Sequence, residues 1–473
     1  MPSYTHAEAI LVMPSATRYL FRDMGGESIS RRNLLLDFAL VSTSALLTPG
    51  RVWAADDRAQ LAVEAFIWGV PLVLTGRYLD IARNAGVPFN QFVLSPDLAT
   101  PKTRALGPQV DTLYGLGWLD LTQGAQVIEV PDTHDRYYSI QLIDTYANSF
   151  AYIGRRATGT KAGAFALTPP DFTGSIPQGI QQIKAPTSTV LAFVRTLVRG
   201  SNDLSDARAV HGSYSLGALS DYPKGRKASI FRTESLNIVR VVDLSSAGAG
   251  YFDELSGLLG VYPPPVSDAP NLARFATIGL VPGKSPPSDP ATRTLLASAI
   301  PAGLSQVRQS DFTRSVNGWR TKLTVTHFIR DPLLRASTNL YGPGTHVAEE
   351  ALYFTAQQGP DGKRLNGRNR YRLRFPSAQT PPVNAFWSVG LYTKDFFLYD
   401  NTINRYSVTD RTEGIRLAAD GALEIAIQHT QPPSGSSNWL PAPDEDFSIT
   451  VRAYQPRPEV LNQQYKLPPL ELV

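Results

Sequence analysis

The sequence predicts a β-rich chain of two β-sandwich modules joined by a helical segment, with one helix before the first module. Three observations carry this. Apolar and polar residues alternate with a period of two in many short stretches. Those stretches are bounded by turn formers, in a chain holding 36 Gly, 37 Pro, 20 Tyr and 20 Phe. Apolar residues at helical spacing concentrate ahead of the first strands and in one central block.

Taken in order, residues 1–54 read as an export signal. Ser30-Arg31-Arg32-Asn33-Leu34-Leu35 is a twin-arginine pattern, and an apolar run, Leu34 to Leu47, follows with Asp37 inside it. Val52-Trp53-Ala54 supplies small-residue cleavage logic, so a mature chain starting near Ala55 and a periplasmic or secreted location are expected. Met24 opens a more usual leader than Met1. The apolar run is too short for a bilayer span, which takes about 20 residues, so no stable span is expected once the signal is removed.

Residues 55–247 are expected to hold the leading helix and the first sandwich. Leu61, Ala65, Trp68 and Leu72 recur at helical spacing between Asp56 and Asn84, with Trp68 as a core residue. Pro71 is expected to kink or break that helix, because its ring removes a backbone donor. Gly86 and Pro88 end it. From Gln126 the period becomes two. Gln126 to Val130 stops at Pro131, Tyr138, Ile140 and Leu142 alternate with Tyr137, Ser139 and Gln141, and Thr189 to Val198 is a further strand. Residues 248–345 form the helical bridge. Helices are expected over Asn271 to Leu280 and Ala291 to Val307 despite Pro301, between proline clusters at 263–265 and 285–290. Residues 346–473 are the second sandwich, with half-buried strands at Tyr371–Phe375, Leu423–Ile427 and Phe447–Ala453. Arg364, Arg368, Arg370, Arg372 and Arg374 make a basic face there. It reads as a solvated sheet face before it reads as an anion site.

Composition and motifs exclude several classes. Charged residues are 18% of the chain and the net charge is +4, too mild and scattered for a nucleic-acid partner. There is no cysteine, hence no disulfide, thiolate metal site or cysteine nucleophile. Six histidines are spread along the chain without tight metal-ligand spacing. No nucleophile elbow, phosphate loop or dinucleotide fingerprint is present, and no cofactor is expected.

Chemistry is best sought between Gly107 and Gly154, where acids, phenols and amides crowd among strands. Asp111, Asp120 and Asp144 are candidates for an acid and a base, the pair that glycoside cleavage requires. Tyr114, Tyr138 and Arg136 would neutralise a sugar-acid carboxylate, with His134 or a tyrosine as base. The expected catalytic set is therefore Asp111, Tyr114, Arg136, Tyr138 and Asp144, with Trp118 and Gln141 contacting ligand. The competing reading is structural: Asp111-Thr112 as a turn cap, Asp144 as a loop residue and Arg136 as a tie. A second group, Trp387, Asn401, Arg405, Tyr406 and Trp439, offers aromatic faces and amides for a sugar, although Trp387 sits mid-strand where a core role competes. Two functions follow. The leading one is an enzyme acting on a carbohydrate or small polar molecule by hydrolysis or lyase chemistry. The alternative is a non-catalytic carbohydrate or small-ligand binding protein. Either way the partner is a small molecule or saccharide.

Several motifs together carry a family resemblance: Asp111-Thr-Leu-Tyr114 with Trp118-Leu-Asp120, Pro131, Arg136-Tyr-Tyr138, Gln141 and Asp144. In the second half they are Ala385-Phe-Trp-Ser388 with Tyr392, Asn401 with Asn404-Arg-Tyr406, Asp420-Gly421, Asn438-Trp-Leu-Pro-Ala-Pro443 and Arg452-Ala-Tyr454. On these the chain resembles bacterial exported proteins pairing domain of unknown function twelve fifty-four with domain of unknown function twelve fourteen. The resemblance runs from about Leu61 to Pro456 and departs from the pattern at Gly107-Pro-Gln-Val110. It implies two jelly-roll-like sandwiches joined by helices, and supplies no chemistry.

Overall fold

A computed structural model describes residues 55–223, 226–227, 229–230 and 243–473. The expected export signal lies outside them. Helix α1 (Ala55–Asn84) is the centre of a helical layer. Leu61, Ala65, Phe66, Trp68 and Leu72 are all buried in it. The helix continues through Pro71, contrary to expectation. Apolar packing along most of its length outweighs the one donor that proline removes. By length and apolarity α1 would suffice to cross a membrane, yet 83% of that stretch is buried against the rest of the chain.

The first sandwich takes β1 (Val93–Leu94), β2 (Thr112–Asp120), β3 (Gln126–Val130), β4 (Tyr138–Asp144), β5 (Ala151–Gly154), β6 (Gly163–Thr168), β7 (Ile180–Lys184), β8 (Thr189–Leu197) and β9 (Ser215–Ala218), with helix α2 (Leu204–His211) between the last two. Short β10 (Arg226–Lys227) and β11 (Ser229–Ile230) add edges. One sheet has the order β11-β1-β2-β8-β4-β5, the other β10-β9-β3-β6-β7. Alternate residues of facing strands fill the space between them: Tyr138, Ile140 and Leu142 from β4, Val190, Ala192 and Val194 from β8, with Ile128 and Leu216 opposite.

Helices α3 (Gly250–Val261), α4 (Ala269–Ala276), α5 (Pro290–Gln309) and α6 (Pro332–Tyr341) follow and pack with α1. Asp289 caps α5 by accepting the Thr292 N–H (2.9 Å), and Asp331 caps α6 by accepting those of Leu333 (2.8 Å) and Leu334 (3.1 Å). The central segment is not wholly helical. It also holds the hairpin β12 (Arg314–Val316) and β13 (Trp319–Thr321), which joins the second sandwich. Its turn is Asn317-Gly318, both at positive φ (53° and 83°), the conformation that a two-residue hairpin loop demands.

The second sandwich continues with β14 (Ala351–Ala356), β15 (Tyr371–Phe375), β16 (Val383–Thr393), β17 (Ser407–Thr409), β18 (Leu423–Gln428), β19 (Trp439–Pro441), β20 (Phe447–Pro456), the short helix α7 (Pro458–Leu461) and β21 (Leu470–Leu472). Its sheets have the orders β12-β13-β14-β20-β16-β17 and β19-β18-β15-β21. Four of the five arginines of the basic face are paired: Arg364 meets Asp446, Arg368 meets Asp444, Arg372 meets Glu471, and Arg374 meets Glu424 and Asp420.

The two sandwiches share one topology. Adding twelve to each strand number from β1 to β9 gives β13 to β21, and the neighbours match in both sheets. Even the parallel pair β6·β7 has its parallel counterpart β18·β19. Register carries the match to single residues. Arg195 on β8 pairs with Tyr114 on β2 and Ser139 on β4. Arg452 on β20 pairs with Tyr353 on β14 and Ser388 on β16. The sequence repeats accordingly: Asp111-Thr-Leu-Tyr114 against Glu350-Ala-Leu-Tyr353, and Val194-Arg-Thr-Leu197 against Val451-Arg-Ala-Tyr454.

The equivalent sheets face each other, and their contacts are reciprocal, as an approximate twofold relation requires. Tyr137 and its counterpart Phe386 meet edge to face, with ring centroids 5.4 Å apart. Asp111 pairs with Arg411 of the second module (3.1 Å). Its counterpart Glu350 pairs with Arg156 of the first (2.6 Å) and accepts the Tyr137 hydroxyl (2.8 Å). The Glu350 side chain is only 2% exposed, so removing its partner strands a buried charge. Arg156→Met is therefore expected to cost about 3 kcal/mol or more. Arg368→Met, at an exposed pair, is expected to cost under about 1 kcal/mol. Urea unfolding midpoints of the two variants check this, and equal losses would contradict it.

Candidate functional site

The seam between the sandwiches gathers the buried polar groups. Arg195 donates from Nη1 to Gln141 Oε1 (2.9 Å) and from Nη2 to the Gly344 carbonyl (2.8 Å). Arg452 donates from Nη1 to the Tyr392 hydroxyl (2.6 Å) and from Nη2 to the Gly107 carbonyl (2.7 Å). Each arginine thus reaches the segment leading into the other module's first long strand. Both are buried, and neither has a carboxylate within ion-pair distance among the described residues. Gly344 sits at φ 71°, and a Cβ there would lie 2.8 Å from the Phe193 ring, so the approach needs glycine.

Aromatic rings surround these charges. Arg195 lies over Phe193 (4.2 Å) and beside Tyr114 (5.8 Å), whose rings stack at 5.6 Å. Arg452 lies beside Tyr392 (5.3 Å) and Tyr353 (5.9 Å). Burial pushes the phenols of Tyr353, Tyr392 and Tyr454 up, so they are neutral near pH 7 and balance no charge. Tyr114, Phe193 and Tyr353 are half-buried and keep some water-reachable surface.

His346 completes the cluster. It is 1% exposed, its Nδ1 meets the Tyr152 hydroxyl (3.3 Å), and its Nε2 has no partner among the described residues. Burial, followed by Arg195 and Arg156, holds its pKa well below the usual histidine range, so the ring is neutral. Among the described residues the Tyr152 hydroxyl, which accepts the Val347 N–H (3.2 Å), meets no acceptor for its own proton other than Nδ1, and that arrangement puts the imidazole N–H at Nε2.

Of the residues expected from sequence, Asp111, Tyr114 and Gln141 belong to this seam. Burial pushes the Asp111 carboxyl up against the opposing pull of Arg411 and Arg452. The others lie elsewhere. Arg136 is tied to Asp203 (Nη2 to Oδ1, 2.7 Å) and the Leu197 carbonyl (2.8 Å). Tyr138 faces the first sandwich core because it follows the opposite strand parity to Ser139 and Gln141, and its hydroxyl meets the Gly159 carbonyl (3.2 Å). Asp144 caps a turn, accepting the N–H groups of Tyr146 and Asn148 (both 2.9 Å). Trp118 packs with Leu79 and Ala82 of α1. Asp120 accepts from Thr122 in a surface turn, and His134 is exposed.

The second group does not form a platform. Trp387 fills the second core against Phe375. Trp439 is 5% exposed, its Nε1 donating to the Gln428 carbonyl (2.9 Å). Arg405 donates to the carbonyls of Ser437 and Trp439 (3.0 Å each), Asn401 bonds the backbone of Tyr399 and Arg405, and the Tyr406 hydroxyl meets Asn404 (3.1 Å). These bonds close loops. The residues missed by the sequence reading are Arg195, Arg452, Tyr353 and His346. The available signal was an arginine inside an otherwise apolar strand, occurring once in each half.

The comparisons with known proteins fit this architecture. Residues 89–217 match the family described as protein of unknown function (DUF1254), and residues 350–458 match that described as protein of unknown function (DUF1214). The chain belongs to the proteins that pair these two domains. It is similar in fold to the VPA0106 protein of Vibrio parahaemolyticus, at 22% identity and a TM-score of 0.66, covering 88% of this chain and 100% of that one. An uncharacterized protein from Burkholderia cenocepacia matches at 12% identity and a TM-score of 0.42, covering 89% of this chain and 95% of that one. No curated protein matches.

Asp144 yields a pH prediction. Burial, outweighing the hydrogen bonds from Asn148, raises its pKa from 3.8 to about 6. A raised carboxyl pKa stabilises the fold fully below the unfolded value and loses that contribution as pH rises through the folded one. Asp144→Asn is therefore expected to gain on wild type by on the order of 2 kcal/mol between pH 4 and pH 7, measured by urea unfolding at both. A constant difference would contradict it.

Proposed function

We propose that this chain binds a small polar molecule, a carbohydrate or a comparable metabolite, in the seam between its two sandwiches. The observation that carries this is the pair of buried arginines with no acid partner among the described residues, set against half-buried Tyr114, Phe193 and Tyr353. Non-catalytic binding is the better supported form. Acid–base hydrolysis or lyase chemistry needs two available carboxyls, whereas Asp111 is engaged by Arg411 and Asp144 by its own turn. Catalysis keeps one argument, the Nε2 of His346, which has no partner among the described residues.

A thermal-shift screen of sugars, polyols and sugar acids tests the reading. A ligand at 100 times its Kd adds about 2.7 kcal/mol, a rise of several degrees. Tyr114→Ala and Phe193→Ala are expected to abolish the rise. A rise that survives both, or no rise with any compound, would contradict seam binding.

Export belongs to the same proposal, supported by the twin-arginine pattern and the Val52-Trp53-Ala54 cleavage logic. Protein recovered from the periplasm is expected to begin at Ala55 on N-terminal sequencing. Full-length protein confined to the cytoplasm would contradict it.

A further inference from the structure

We propose that the seam takes an organic carboxylate, held between Arg195 of the first module and Arg452 of the second, with His346 Nε2 as a third donor. This rests on the seam-binding reading and names the chemistry of its ligand.

Charge comes first. Of the seam carboxylates, Glu350 is engaged by Arg156 and the Tyr137 hydroxyl, while Asp111 shares Arg411 with that arginine's neighbour Asp410. Tyrosines stand around both arginines: Tyr114 beside Arg195, and Tyr353 and Tyr392 beside Arg452, with Tyr454 near both. These phenols accept hydrogen bonds and present ring faces, and burial keeps Tyr353, Tyr392 and Tyr454 neutral near pH 7. Two guanidiniums taken out of water with neutral neighbours are costly, and an anion between them recovers that cost. Arg452 does feel the Asp111 carboxylate, but the hydrogen bond of that carboxylate goes to Arg411.

Geometry comes second. A guanidinium presents a planar fork of donors that matches a carboxylate edge. Nη1 and Nη2 of both arginines are aligned by fixed acceptors, so neither fork is free to swing. The neutral imidazole adds an N–H with no acceptor of its own, which a third oxygen contact would satisfy. The stacked rings of Phe193 and Tyr114 provide an apolar wall for the remainder of the molecule. That wall favours an organic acid over a bare inorganic anion.

The test uses matched pairs, glucuronate with glucose and benzoate with benzyl alcohol, plus sodium sulfate, all at constant ionic strength on the full mature chain. The acids are expected to raise the melting temperature saturably, and the neutral partners and sulfate are not. Arg195→Lys and Arg452→Lys, which keep the charge but lose the fork, are each expected to weaken acid binding about tenfold or more. Near-UV circular dichroism confirms that the variants are folded. Equal binding of glucose and glucuronate, sensitive to Phe193→Ala, would overturn the carboxylate while leaving seam binding intact. Sulfate matching the acids would overturn the organic ligand. Acid binding unchanged in both lysine variants, or no acid effect at all, would overturn the proposal.

Discussion

Two ion pairs crossing between modules, each built on a carboxylate with little exposure, hold the molecule in register. Asp111 and Glu350 stand at equivalent places, just ahead of β2 and β14, and each is answered by an arginine from the opposite sandwich. Because a carboxylate stranded in this interior is so unfavourable, separation of the modules is opposed at two points rather than one. The aromatic contacts of Tyr137, Phe386 and Tyr454 fill the space between those points. Everything else in the seam, including the two central arginines, is placed by that alignment.

The strands were legible because alternation is a local property, and a one-residue slip would turn every side chain over. Thr189–Leu197, Tyr371–Phe375 and Leu423–Gln428 fall close to where the pattern puts them. The β12–β13 hairpin was also marked, by Asn317-Gly318, but its strands are too short to show a period. Pro71 misled because propensity is local, while the burial that keeps α1 intact comes from helices far along the chain.

The site was less legible for a physical reason. Density of polar residues along Gly107 to Gly154 reports proximity in sequence, whereas strand parity sends Tyr138 and Gln141 to opposite faces of one sheet. Half of the seam comes from residues 190 or more positions beyond the end of that stretch. The repeats of Asp111-Thr-Leu-Tyr114 as Glu350-Ala-Leu-Tyr353 and of Val194-Arg-Thr-Leu197 as Val451-Arg-Ala-Tyr454 were the visible traces of that distant half. Reading each motif separately conceals them.

The duplication is imperfect at the places that matter most. The counterpart of Gln141 is Gly390, where a Cβ would run into the Tyr392 hydroxyl at 3.0 Å, so a phenol does on one side what an amide does on the other. Four residues before Glu350 stands His346, and four before Asp111 stands Gly107. A ligand seated in this nearly symmetric seam would therefore meet chemically different ends, and could settle head-first in one sense only.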